Sequence, residues 1–131
     1  MRFLIVEDDL VQRKVYSRYA QVWGTADIAE NGMVAITLFK RAFLEEHPYE
    51  VILLDIGMPG LDGQETLKEL RRIETANKRP LGRGAKIIMI TALDEPEHVL
   101  RAFREHCDSY LVKPVIRADL EQELRRQGLI P

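Results

Sequence analysis

The residues Val51-Ile52-Leu53-Leu54 run without interruption into Asp55, and Pro59, Gly60 and Gly63 follow closely behind. A short, unbroken apolar run closed by turn residues fits a strand covered on both faces of a sheet, and such strands belong to parallel sheets flanked by helices. In open parallel α/β sheets, ligands sit in the crevice beyond the carboxyl ends of the strands. Asp55 stands at that end, so it is a candidate site residue on position alone.

The rest of the chain repeats the pattern. Phe3-Leu4-Ile5-Val6 is a second apolar run ending in acids, here Glu7, Asp8 and Asp9. Val11, Val15, Tyr19 and Val22 then recur at helical spacing and predict one inner face, with Trp23-Gly24 as the stop. Thr25 to Ala29 reads as a half-polar edge strand. Asn31-Gly32 opens a helix with Ala35, Leu38, Phe39 and Ala42 inward, which His47-Pro48 ends. Leu67, Leu70 and Ile73 mark a third helix that leaves Lys68, Glu69, Arg71 and Arg72 in solvent. Residues 76–85 form a loop carrying Lys78, Arg79 and Arg83, either a basic contact site or a solvated connection. Ile87 to Ile90 is another buried strand, closing on Thr91. Asp94-Glu95-Pro96 starts a fourth helix with Val99, Leu100 and Phe103 inward. Tyr110 to Val112 leads into Lys113-Pro114, and Ile116, Leu120 and Leu124 line a last helix before Gly128.

Strand followed by helix, five times, predicts an α/β fold with a doubly wound, five-stranded parallel sheet. Glu7 and Asp8, Asp55, Thr91 and Lys113 then all project from one sheet edge. Three carboxylates converging there repel one another and call for a cation. Hard oxygen donors, with a backbone carbonyl after Asp55, suit Mg²⁺. A lysine and a hydroxyl beside them complete a cradle for a phosphoryl group. A carboxylate in such a cradle can itself be the nucleophile and form an aspartyl phosphate. Each residue taken singly has a plainer role: acids at a helix start, an aspartate capping a turn, a surface lysine. The set is harder to explain that way, because uncompensated charge at buried strand ends is costly.

The chain has 131 residues, 46% hydrophobic and 31% charged, with a formal net charge of -2. These values fit one globular domain over 1–131, with no output domain expected and no general attraction to nucleic acid or anionic membrane. Apolar runs are too short for a membrane span or signal-peptide core, which points to a cytoplasmic protein. The single Cys107 excludes an internal disulfide and reads as a small buried hydrophobe or a redox thiol.

Glu7-Asp8 after the first strand, Asp55 within Leu-Leu-Asp-Ile-Gly-Met-Pro-Gly-Leu-Asp-Gly, Thr91-Ala92 after the fourth and Lys113-Pro114 after the fifth together resemble the receiver domain of two-component response regulators. The resemblance spans essentially the whole chain. It implies a flavodoxin-like (βα)5 fold with strand order 2-1-3-4-5. It further implies that Asp55 accepts phosphate from the phosphohistidine of a histidine kinase or phosphotransfer protein. Asp8, Asp55 and the Gly57 carbonyl would bind Mg²⁺ directly, Glu7 would act mostly through water, and Asp9 would serve the helix start. Thr91 would donate to the phosphoryl oxygen and Lys113 would form an ion pair, with a cis peptide before Pro114. Tyr110 matches the switch aromatic, outward before phosphorylation and inward after.

The output implied is a changed surface on the fourth helix, fifth strand and fifth helix, made basic by Arg101, Arg104 and Arg117. That surface would bind a downstream protein target or support a weak dimer of an otherwise monomeric chain, or the phosphoryl group would be relayed. Catalysis would be limited to the protein's own phosphorylation and dephosphorylation. Gly57 and Leu93, two beyond Asp55 and Thr91, offer no polar group to orient an attacking water, so the phosphorylated form is expected to be long-lived. One departure stands out: His106-Cys107 replaces the usual Gly-Ala before the fifth strand and predicts a reshaped turn. A flavin-binding relative lacks support, since no Gly- or Ser/Thr-rich phosphate loop follows the first strand. An aspartyl phosphatase lacks its Asp-x-Asp general acid, since position 57 is glycine. A docking module that is never phosphorylated would not need the complete set of Glu7, Asp8, Asp55, Thr91 and Lys113.

Overall fold

A computed structural model describes residues 1–57, 62–79, 84–92 and 96–131. Strand and helix alternate as β1 (Arg2–Val6), α1 (Leu10–Ala20), β2 (Thr25–Ala29), α2 (Gly32–Leu44), β3 (Val51–Asp55), α3 (Gly63–Ala76), β4 (Lys86–Thr91), α4 (Pro96–Arg104), β5 (Ser109–Val112) and α5 (Arg117–Arg126). All strand pairs are parallel, as the strand–helix pattern predicted, and the sheet order is β2-β1-β3-β4-β5, as the resemblance implied. Val6 pairs with Ala29 and Leu54, Asp55 with Ile90, and Thr91 with Val112, so the strands end nearly level. That register brings the acids, Thr91 and Lys113 to one edge.

Side chains alternate across the sheet with the two-residue strand period. Leu4, Val6, Ile52, Leu54, Ile87 and Met89 pack with Ala35, Phe39, Leu67 and Leu70 on one face. Phe3, Ile5, Val51, Leu53, Ile88 and Ile90 pack with Tyr16, Ala20, Leu120 and Leu124 on the other. The short apolar runs are thus continuous because both of their faces are covered.

Two helices turn a different stripe inward from the one their aliphatic spacing predicted. In α1 the buried positions are Tyr16 and Ala20, whereas Val15 and Tyr19 are half-buried and Val11 and Val22 exposed. Residues one apart on a helix differ by about 100° in direction, so the Val11–Val22 stripe flanks the contact. In α4, Ala102 is fully buried while Leu100 and Phe103 are exposed. Small residues let a helix approach the sheet closely, and the larger apolar neighbours are left outside. Ile116, expected inside, is the exposed N-cap of α5.

Arg71 is the other correction. Expected in solvent, it is buried, and its guanidinium donates to Glu74 Oε1 at 2.6 Å, Ala85 O at 2.9 Å, His106 O at 2.8 Å and Asp108 Oδ2 at 2.7 Å. These bonds tie α3 to the start of β4 and to the turn before β5. Lys68 and Arg72 are exposed as expected. In the basic loop, Arg79 lies over the Phe43 ring at 6.0 Å, and Arg83 falls outside the described residues.

Four helices close with one device. After α2, Glu46 N–H donates to Phe43 O and His47 N–H to Ala42 O, and equivalent pairs follow α3, α4 and α5. This is the Schellman arrangement, which needs a left-handed residue. Glu46, Lys78, His106 and Gly128 occupy that position with φ of 59, 62, 72 and 76°. Only the last is glycine. The turn at His106-Cys107 is therefore not reshaped: His106 adopts the conformation a glycine would take.

Candidate functional site

Glu7 leaves β1 with its N–H bonded to Ala29 O and its side chain buried, Asp8 beside it is exposed, and Asp55 ends β3 with only 4% of its surface exposed. One carboxylate oxygen from each of the three lies within 4.8 Å of the others. Lys113 Nζ stands 3.3 Å from Asp55 Oδ1, and Gly57 N–H donates to the same oxygen at 3.1 Å. The Lys113 backbone N–H bonds to Thr91 O at 2.8 Å, which locks the ends of β4 and β5 together, and the Lys113-Pro114 peptide is cis as expected. The Asp9 side chain caps α1, accepting from Gln12 N–H at 2.9 Å, while its own N–H donates to Glu7 Oε1 at 3.2 Å.

Thr91 is buried at the same edge, and its hydroxyl donates to Ala92 O at 3.2 Å. Tyr110 is 41% exposed and meets Phe103 edge-on, with ring centroids 6.1 Å apart. Leu93 lies outside the described residues.

The electrostatics of the cluster are those of a cation site. Burial, then the charge of Asp55, pushes the Glu7 carboxyl up to about 8, against the pull of the Asp9 N–H and Lys113. Glu7 Oε2 is buried without a hydrogen-bond partner among the described residues. A buried oxygen left unpaired is costly unless something fills its place. The three hard carboxylates of Glu7, Asp8 and Asp55 fit Mg²⁺. Tyr16, which belongs to no motif in the sequence, packs in the core near these acids. Burial, then the charges of Glu7 and Asp55, raises its phenol. Its half-polar side chain at an i, i+4 spacing from Ala20 is the only sequence signal of that place.

A family model of the response regulator receiver domain matches residues 3–125. The regulatory protein VanRB of Enterococcus faecalis is 33% identical over an alignment of 135 residues, covering 99% of this chain and 55% of the relative. The chemotaxis protein CheY-3 of Vibrio cholerae is 27% identical, over 95% of this chain and 88% of that one. Among solved structures, the receiver domain of the Saccharomyces cerevisiae response regulator Ssk1, crystallised with the phosphotransfer protein Ypd1, superposes with a TM-score of 0.81 at 26% identity, covering 98% of this chain and 88% of that one. The receiver domain of the Arabidopsis thaliana histidine kinase CKI1, complexed with Mg²⁺ and BeF₃⁻, shares the fold with a TM-score of 0.84 at 23% identity, covering 97% and 89%. The chain spans about half the length of the first curated relatives it matches, at 55%, 50% and 44%. No helix among the described residues is long and apolar enough to cross a membrane. With its fold, its edge of acids and these matches, the chain belongs to the response regulator receiver domain family, whose members are phosphorylation-dependent signalling switches.

Proposed function

We propose that Asp55 is the phosphoacceptor of this switch. The observation that carries the reading is the pairing of Asp55 with Lys113 at 3.3 Å inside a cluster that also holds Glu7 and Asp8. An Asp55 carboxylate oxygen attacks the phosphorus of a phosphohistidine presented by a histidine kinase or phosphotransfer protein. The P–N bond breaks and the imidazole leaves with its electron pair. Asp8, Asp55 and the Gly57 carbonyl would hold Mg²⁺, with Glu7 completing the shell through water. When bound, the ion supplies charge neutralisation for the phosphoryl oxygens. Lys113 supplies a second positive charge, and the Thr91 hydroxyl turns from Ala92 O to a phosphoryl oxygen. Leu10 and Val11, exposed directly after the acids, give the donor an apolar rim to dock against.

Phosphorylation then reaches α4, β5 and α5 through Thr91 and Tyr110, and the altered surface binds a downstream protein target or pairs weakly with a second copy. Acetyl phosphate with Mg²⁺ and intact-mass detection tests this reading. The parent should gain one phosphoryl group and Asp55→Asn none. Equal labelling of the two would move the site elsewhere.

A further inference from the structure

The first residue of α3, Gly63, lies directly on the peptide that follows the proposed phosphoacceptor. A Cβ built there would stand 2.4 Å from Asp55 O, 2.6 Å from Ile56 Cα and 3.0 Å from Asp55 C. All three are backbone atoms, so no side chain can swing aside to make room. Ordinary contact begins at 3.4 Å, and relieving the closest approach means moving the end of β3 by about 1 Å. Two features prevent α3 from giving way instead. Gly63 N–H bonds to Ile56 O at 3.3 Å, and Leu70 on the same helix is fully buried in the core. Behind them Gln64, Thr66 and Leu67 are buried. Its backbone φ lies outside the left-handed region, so the requirement for glycine is one of space.

We infer that Gly63 is a positioning residue: by lacking a side chain it lets α3 seat on the Asp55 carbonyl and so fixes where the Asp55 carboxylate meets Lys113 and the two other acids. The inference rests on Asp55 being the phosphoacceptor. A displacement of about 1 Å at a reacting group can cost up to a hundredfold in rate. The distances at stake are 3.3 Å to Lys113 and no more than 4.8 Å among the acids, so a shift of that size takes Asp55 out of the arrangement.

The test compares the parent, Gly63→Ala, Ile73→Ala and Asp55→Asn. Ile73 is buried on the same helix ten residues further on, about 15 Å along the axis, and its truncation weakens packing without touching the site. Each variant is labelled with acetyl phosphate at a temperature where circular dichroism shows it folded, and Mg²⁺ affinity is read by NMR titration. Gly63→Ala should label ten- to a hundredfold more slowly and bind Mg²⁺ more weakly, whereas Ile73→Ala labels at the parent rate. If Gly63→Ala labels and binds as the parent does, or Ile73→Ala slows labelling equally, the positioning role is overturned. A parent that labels no better than Asp55→Asn refutes the site assignment instead. Should Gly63→Ala be unfolded, trimethylamine N-oxide is added to restore the fold. A variant that stays unfolded even then overturns the positioning role, because the close contact would be a folding requirement alone.

Discussion

The lifetime of the phosphorylated state should be set by what stands beside Asp55, and Gly57 allows this to be tested cleanly. Among the described residues, a Cβ placed on Gly57 would meet only Asp55 Oδ1, at 3.9 Å, within ordinary contact distance. The residue is exposed, and its φ lies outside the left-handed region, so a side chain costs little strain. In Gly57→Asn the new amide would sit over the carboxylate, where it can hold a water in line with the phosphorus. One such orienting contact is worth on the order of 1–3 kcal/mol, or roughly ten- to a hundredfold in hydrolysis rate. The assay follows loss of the phosphoryl group by intact mass after removing acetyl phosphate, with Mg²⁺ constant. The parent should be the longer-lived form, and Leu93→Glu added to Gly57→Asn should shorten the lifetime further. If Gly57→Asn is labelled fully but decays at the parent rate, the missing polar group does not set the lifetime.

Other consequences concern stability. Arg71→Met removes four hydrogen bonds and takes the guanidinium from buried Glu74 and half-buried Asp108, though Glu74 keeps Ala85 N–H and Asp108 keeps Ile87 N–H and Lys86. Urea denaturation should show a loss of about 3 kcal/mol, and a loss below about 1 would mean that the network is not stabilising. His106→Gly should stabilise by roughly 0.5–1 kcal/mol, since the left-handed conformation strains a residue with a Cβ by about 1–2 kcal/mol and the glycine loses part of that in chain entropy. A lower midpoint in the same titration would refute this. Burial, then the charge of Asp108, raises the Cys107 thiol from 9.0 to about 11. Its contribution to stability is complete below pH 9 and declines as pH rises through 11. Thiol reagents at about pH 8, below the ordinary thiol value, should therefore react only on unfolding, and rapid labelling of the folded protein would contradict the burial.

The sheet was legible because its strands are buried on both faces, so Phe3–Val6, Val51–Leu54 and Ile87–Ile90 appear as unbroken apolar runs that stop at the chemistry. The site was legible for the same reason, since Glu7, Asp8, Asp55, Thr91 and Lys113 sit where those runs end or at the strand beside them. Helix faces were less so in α1 and α4, where Tyr16, Ala20 and Ala102 make the contact and the more hydrophobic Val11, Leu100 and Phe103 stay outside. Aliphatic spacing weighs hydrophobicity alone, whereas the inward face follows from how the helix is rotated over the sheet: in α4 it presents the small Ala102, and in α1 it takes in Tyr16, a large side chain that is fully buried. Arg71 was misread because nothing in its own helix shows that Asp108 and the His106 carbonyl come to it from distant sequence. Gly63 carried no more than a turn signal, because the backbone it lies against belongs to another element.

How the described residues of α4 are held bears on which part of the molecule answers phosphorylation. Of its described residues only Ala102 is buried, whereas α3 buries Leu67, Leu70 and Ile73 together with polar neighbours. At about 0.8 kcal/mol per buried CH₂, one methyl holds α4 far less firmly than those side chains hold α3. Its C-terminal end is nevertheless fixed, since Arg71 Nε donates to His106 O just beyond it. The N-terminal end follows Thr91, whose hydroxyl must turn toward a phosphoryl oxygen in the proposed active state. Among its described residues α4 is held by this C-terminal bond, by Ala102 and by the surface pair of Arg101 with Glu65 at 2.9 Å, so it is expected to move by pivoting about its C-terminal end, and Phe103 would carry Tyr110 with it through their edge-on contact. Amides in the first turns of α4 should therefore exchange faster than those of α3 in the free protein. Beryllofluoride with Mg²⁺, standing in for the phosphoryl group, should change exchange across α4, β5 and the start of α5. Changes confined to the segment between β3 and α3 would sink the pivot, and with it the assignment of this face as the output surface.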